Sequence, residues 1–164
     1  MKVQAIITAF LIMGVSSAAL GATATGTLNV NSNVAARASL VISSTTINFP
    51  DADPSSVSSI PATENGVSVI ASVRTASNGV ASLQVLASND LTSGSGIIDI
   101  ANVTWTATGA GFTGGTMNKT TAQGAGSWTG SGQRTGSFSY FLANSWDYST
   151  GSYTTTLTYT LTAP

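Results

Sequence analysis

The 164 residues include no Cys and no His, and charged side chains make up only 7% of the chain. These absences exclude a disulfide framework, thiolate and imidazole nucleophiles, and soft-metal sites. Five basic residues are too few to neutralise phosphates along nucleic acid, and no polybasic run exists to hold an anionic membrane surface.

The chain opens with Met1-Lys2, then an apolar run from Ala5 to Val15 broken only by Thr8 and Gly14, then small residues from Ser16 to Ala22. This pattern predicts a secretory signal peptide over residues 1–21, cleaved after Gly21 or Ala22, and a single domain over 22–164. After cleavage no integral membrane segment is expected. The mature chain keeps Arg37, Arg74, Lys119 and Arg134 against six acidic residues, a balance of −2. An uncharged, strand-forming sequence of this kind suits either a subunit packed among copies of itself or a simple extracellular sandwich with a hydroxyl-rich coat.

From Thr23 the residues alternate. Leu28, Val30, Val34 and Ala36 share one parity, and Thr27, Asn29, Asn31 and Asn33 share the other. A strand turns successive side chains to opposite faces, so residues 23–36 read as a first strand, joined by a bulge near Ala35-Ala36-Arg37 to the apolar run Leu40-Val41-Ile42. Thr46 to Phe49 predicts a short strand stopped at Pro50, and Ser55 to Asn65 a loop. Gly66 to Arg74 predicts a strand with Val67, Val69, Ala71 and Val73 on one face. Ala76-Ser77-Asn78-Gly79 then predicts a hairpin turn, with Val80 to Ala87 as the paired strand. Ile97 to Ala107 supplies one or two strands. Gly109 to Gly136 is Gly-rich, with Phe112, Met117 and Trp128 as isolated anchors, and reads as a short hairpin or a long loop. Ser137 to Leu142 resumes a strand. The last stretch, Gly151 to Pro164, alternates Tyr153, Leu157, Tyr159, Leu161 and Ala163 against five threonines, which predicts a strand with one apolar and one hydroxyl face.

Short strands separated by turns, with no helical period after the leader, indicate a small barrel or a sandwich. The expected fold is all-β, an immunoglobulin-like antiparallel β-sandwich lacking the antibody Cys pair.

Chemistry is sparse. Asp51 and Asp53 flank Ala52 and form a weak Ca²⁺ candidate, against which stands simple turn chemistry before Pro54, the favoured alternative. Asp51, Asp53 and Glu64 show no sign of a glycosidase pair, so no enzyme and no cofactor are expected. Trp105, in phase with Val103, reads as core. Trp128 and Trp146 fall in Gly-rich turns and read either as lids on the sandwich or as a stacking surface for a glycan.

The segment Ala24-Thr-Gly-Thr-Leu-Asn-Val30 after a leader, together with a chain closing in Tyr-Thr-Leu-Thr-Tyr-Thr-Leu, resembles the secreted spore-coat-U-type pilin family, subunits of archaic chaperone–usher pili. Where that family usually carries Cys near the start of the mature domain, this sequence has Ala and Arg. The resemblance implies a sandwich lacking one strand, whose groove is filled by the first strand of the next copy. It also implies partners: copies of itself, a periplasmic chaperone and an outer-membrane usher, with export through the periplasm to a bacterial cell surface. On that basis Leu28, Val30, Val34 and Ala36 are donor residues, and Tyr153, Leu157, Tyr159 and Leu161 belong to the subunit interface. Two alternatives stay open: the first strand pairs within its own domain, or the module is a secreted glycan-binding adhesin using Trp128 and Trp146.

Overall fold

The computed structural model describes residues 21–164, so the expected leader lies, except for Gly21, outside the described residues. Eleven strands follow in order: β1 (Arg37–Ile42), β2 (Ser59–Pro61), β3 (Val67–Arg74), β4 (Val80–Ala87), β5 (Leu91–Ser93), β6 (Gly96–Ile98), β7 (Val103–Thr108), β8 (Gly115–Thr116), β9 (Gln123–Thr129), β10 (Gly132–Ala143) and β11 (Leu157–Thr162). A single 3₁₀ turn, Ile100–Asn102, precedes β7, its first N–H groups bonded by Asp99 and Asp90. Residues 21–33 carry no regular structure and belong to a different unit from residues 34–164.

Within residues 34–164 two antiparallel sheets pack as a β-sandwich. One runs β1-β3-β10-β7-β8, with β2 also paired to β10; the other runs β11-β4-β9; β5 and β6 make a separate hairpin. The reason is visible in the alternation. β3 buries Val67, Val69, Ala71 and Val73, and β4 buries Ala81, Leu83, Val85 and Ala87, each strand turning every second residue inward. Phe138 on β10 is the centre of the packing. Its ring meets Phe112 edge-on at 5.8 Å and stacks on Tyr159 of the opposite sheet at 5.8 Å.

The expected hairpin between β3 and β4 does not form. Each strand lies in a different sheet, so Thr75–Gly79 carries the chain across the core rather than back along an edge. Neither Asn78 nor Gly79 takes the positive φ that a tight hairpin turn needs, and the Gly79 N–H donates to the Ala76 carbonyl at 2.9 Å.

The Gly-rich region also departs from expectation. Residues 109–136 contain all of β9 and the first residues of β10, a strand twelve residues long. Glycine hides these strands from pattern reading but gives Trp128 its place. The indole lies on Gly126, where a Cβ would stand 3.0 Å from the ring, and its Nε1 donates to the Ala110 carbonyl at 3.0 Å. Thr46 to Phe49 is extended but has no ladder, whereas the expected loop at 55–65 contributes β2.

Candidate functional site

Among the described residues β1 pairs only with β3, and β11 only with β4, so each is an edge strand, and the two approach each other. Hydrogen-bond phase fixes which backbone groups they present. Ser88 N–H donates to the Thr156 carbonyl at 2.8 Å, so Thr158, Thr160 and Thr162 face β4 in turn, and the N–H and C=O groups of Leu157, Tyr159 and Leu161 point away from it. On β1 the Ser43 N–H donates to the Ser68 carbonyl at 2.9 Å, which leaves the backbone groups of Ala38, Leu40 and Ile42 on the unpaired side.

Side chains follow the same parity. Leu40 and Ile42 on β1, and Leu157, Tyr159 and Leu161 on β11, turn toward the core yet stay half-buried, because no strand among the described residues closes the seam above them. The alternating threonines of β11 face outward. A seam of this composition, apolar inside with unpaired backbone along both lips, has the chemistry of a site for an added strand.

Toward the start of β11 the seam widens into a cleft of about 730 Å³. Ile60, Ile98, Val103 and Leu142 line it from the buried core, Leu157 from β11, and Ile47 and Phe49 from the segment after β1. The Asn144 Nδ2 ties that segment down by donating to the Ala52 and Val57 carbonyls, each at 3.0 Å. Tyr148 and Tyr153 also line the cleft, with their hydroxyls bonded to the Ala143 and Ser149 carbonyls of their own loop.

The residues singled out from sequence are dispersed by the fold. Leu28 is 88% exposed and Val30 is 85% exposed, and residues 21–36 form no strand; Val34 and Ala36 are exposed as well. The alternation from Thr27 to Ala36 is therefore present without the ladder it was expected to join. Tyr153 precedes β11 rather than belonging to it, and its neighbour Thr154 makes an isolated bridge with Thr92. Trp105 is buried, its Nε1 donating to the Thr113 carbonyl at 2.9 Å.

Trp128 is also buried, on β9 and not in a turn, which removes it from any glycan surface. Trp146 is 73% exposed and lines the mouth of the cleft. Asp53 accepts the Ser55 N–H at 2.8 Å, the turn role expected for it. Among the described residues no three His, Cys, Asp or Glu side chains gather as a metal site would require.

Sequence reading weighed Glu64 only as a catalytic carboxylate and did not single out Asn144, yet these two polar residues hold the cleft's loops. Their signal is weak, because single polar residues in polar loops look alike until their partners are seen. The neighbouring Thr63 hydroxyl and the two Asn48 donors hold the pKa of the Glu64 carboxyl down at about 2. Comparison with protein-family models, with curated proteins and with solved structures finds no match to this chain. No helix among the described residues is long and apolar enough to cross a membrane.

Proposed function

We propose that this chain is an exported structural subunit of a pilus or surface coat, joined to its neighbours by β-strand exchange. The observation that carries the proposal is a match of two unpaired parts. Among the described residues, 23–33 alternate apolar and polar side chains and join no strand, while β1 and β11 leave a half-buried apolar seam edged by unpaired backbone groups. An extended segment of one copy laid along the seam of the next supplies the missing ladder and covers Leu40, Leu157 and Tyr159. At about 25 cal/mol per Å², hiding a few such side chains contributes several kcal/mol per junction. A head-to-tail contact of this kind does not close on itself, so it propagates as a fibre. The low charge of the chain fits a surface that spends its life against copies of itself.

The decisive experiment adds a synthetic peptide of residues 23–36 to the mature chain. Saturable binding, with broadened or shifted amide resonances for Leu157, Tyr159 and Leu161, supports strand exchange. A mature chain that stays monomeric at high concentration and leaves those resonances unmoved defeats it.

The exposed indole of Trp146 favours a second reading, a glycan-binding adhesin whose stacking surface lies at the cleft mouth. That reading requires sugar binding that disappears in Trp146→Ala while strand exchange continues.

A further inference from the structure

Between β1 and β2 the chain runs without a ladder; Asn144 holds its second half through the Ala52 and Val57 carbonyls, and its first half is gripped at Asn48. The Glu64 carboxylate accepts the Asn48 backbone N–H through Oε2 at 2.7 Å and the Asn48 side-chain amide through Oε1 at 2.7 Å. Thr63 takes the remaining backbone group: its N–H donates to the Asn48 carbonyl at 2.9 Å and its hydroxyl at 3.3 Å. Both backbone groups of Asn48 and its side chain are thus held by two successive residues just before β3. On either side of Asn48, Ile47 and Phe49 turn half-buried side chains onto the core and line the cleft.

The pairing suits a carboxylate. Its two oxygens accept two donors arranged in parallel, and charge strengthens both bonds. A Gln in its place lacks the charge and keeps one acceptor, and its NH₂ can pair with the Asn48 side chain only if that amide turns over to present Oδ1. A chain with only six acidic residues thus commits one of them to a single asparagine.

We infer that Glu64 is a positioning residue for the cleft: by gripping Asn48 it fixes Ile47 and Phe49 as the wall against which an inserted apolar side chain packs. The identity of the inserted side chain rests on the strand-exchange proposal; the grip itself rests on the hydrogen bonds around Asn48. Glu64 acts through Asn48 and not by contact with the incoming strand.

The test uses the full mature chain carrying Val30→Asp, so that its own leading segment does not compete, with Glu64→Ala and Glu64→Gln added singly. Hydrogen–deuterium exchange is followed over residues 46–49, with β4, β9 and β11 as internal reference, and affinity is measured for the peptide of residues 23–36. Glu64→Ala is expected to speed exchange over 46–49 at least tenfold without changing the reference strands, and to weaken the peptide at least tenfold. Glu64→Gln should fall between wild type and Glu64→Ala in both, because its remaining oxygen still accepts one donor. Unchanged exchange over 46–49 in Glu64→Ala overturns the inference, as does faster exchange with undiminished peptide affinity. If the peptide binds no variant while exchange over 46–49 still responds, the grip on the cleft wall is supported and strand exchange is what fails.

Discussion

The hydroxyl of Tyr140 on β10 lies 2.9 Å from the hydroxyl of Tyr159 on β11, a single hydrogen bond joining the two sheets through the core. Each phenol is the other's partner. Removing one leaves the other unsatisfied in a largely apolar setting, so Tyr140→Phe and Tyr159→Phe should each cost about 1 kcal/mol. The double variant should cost clearly less than the two together, since it leaves no orphan. Urea unfolding of the three variants measures this, and strictly additive losses would show that the pair is not coupled.

The same pair should make the fold sensitive to alkali. Burial pushes both phenols above their ordinary value of 10.0, and for Tyr159 the neighbouring Tyr140 adds to the effect. A group raised in the folded state contributes its full stability below the unfolded value and loses it as pH climbs past that value toward the folded one. Stability should therefore fall from about pH 10 upward, and tyrosinate absorbance should appear together with loss of the circular dichroism of the strands. The Tyr140→Phe/Tyr159→Phe chain should shed most of that slope. A double variant as alkali-sensitive as wild type would assign the transition to other groups.

Glu64 predicts the opposite slope at acid pH. The neighbouring Thr63 hydroxyl and the two hydrogen bonds from Asn48 lower its carboxyl from 4.5 to about 2. A depressed carboxyl contributes stability above its unfolded value, and the contribution disappears as pH falls toward the folded value. A ¹³C titration of the Glu64 carboxyl should give a midpoint near 2 in the wild-type chain and a higher one in Asn48→Ala. An ordinary midpoint in wild type would mean that the grip on Asn48 is open in solution.

Trp128 and Trp146 should separate cleanly. Trp128 is buried against Phe112 at 5.0 Å between ring centres, so Trp128→Ala should destabilise by about 3–5 kcal/mol. Trp146→Ala should stay within about 0.5 kcal/mol of wild type. Iodide should quench Trp146 emission and leave that of Trp128 and Trp105 largely untouched. Gly111 belongs with Trp128: it has φ +83°, and a Cβ there would run into the indole, so Gly111→Ala should resemble the Trp128 loss in kind.

Val30→Asp puts a charge on an exposed side chain outside any strand, so the thermal unfolding of residues 34–164 should not move. Polymer formation, followed by light scattering, should drop sharply, because an aspartate would have to enter an apolar seam. Undiminished polymerisation would assign assembly to another surface.

Fold class was legible in the sequence because period-two alternation survives wherever one face is buried, as in β3, β4 and β11. Pairing was not. Asn78-Gly79 carries the residue types of a hairpin turn, but which neighbour a strand takes depends on distant partners that no local signal names. β9 was hidden because Gly124 and Gly126 contribute no side chain to a pattern, although the indole of Trp128 packs over Gly126. The seam was half legible. The parity of Leu157, Tyr159 and Leu161 could be read, but their incomplete cover appears only once β1 and β11 are seen as edges.

The crossing of the chain between sheets after Arg74 has a temporal consequence. With β3 and β4 in different layers, most strands of the sandwich wait for partners synthesised much later, β3 for β10 and β4 for β11. Loop closure over such spans is slow, placing folding in the range of about milliseconds to seconds. A chain emerging N-terminus first thus keeps β4 uncovered along one side until Leu157–Thr162 arrive to complete it.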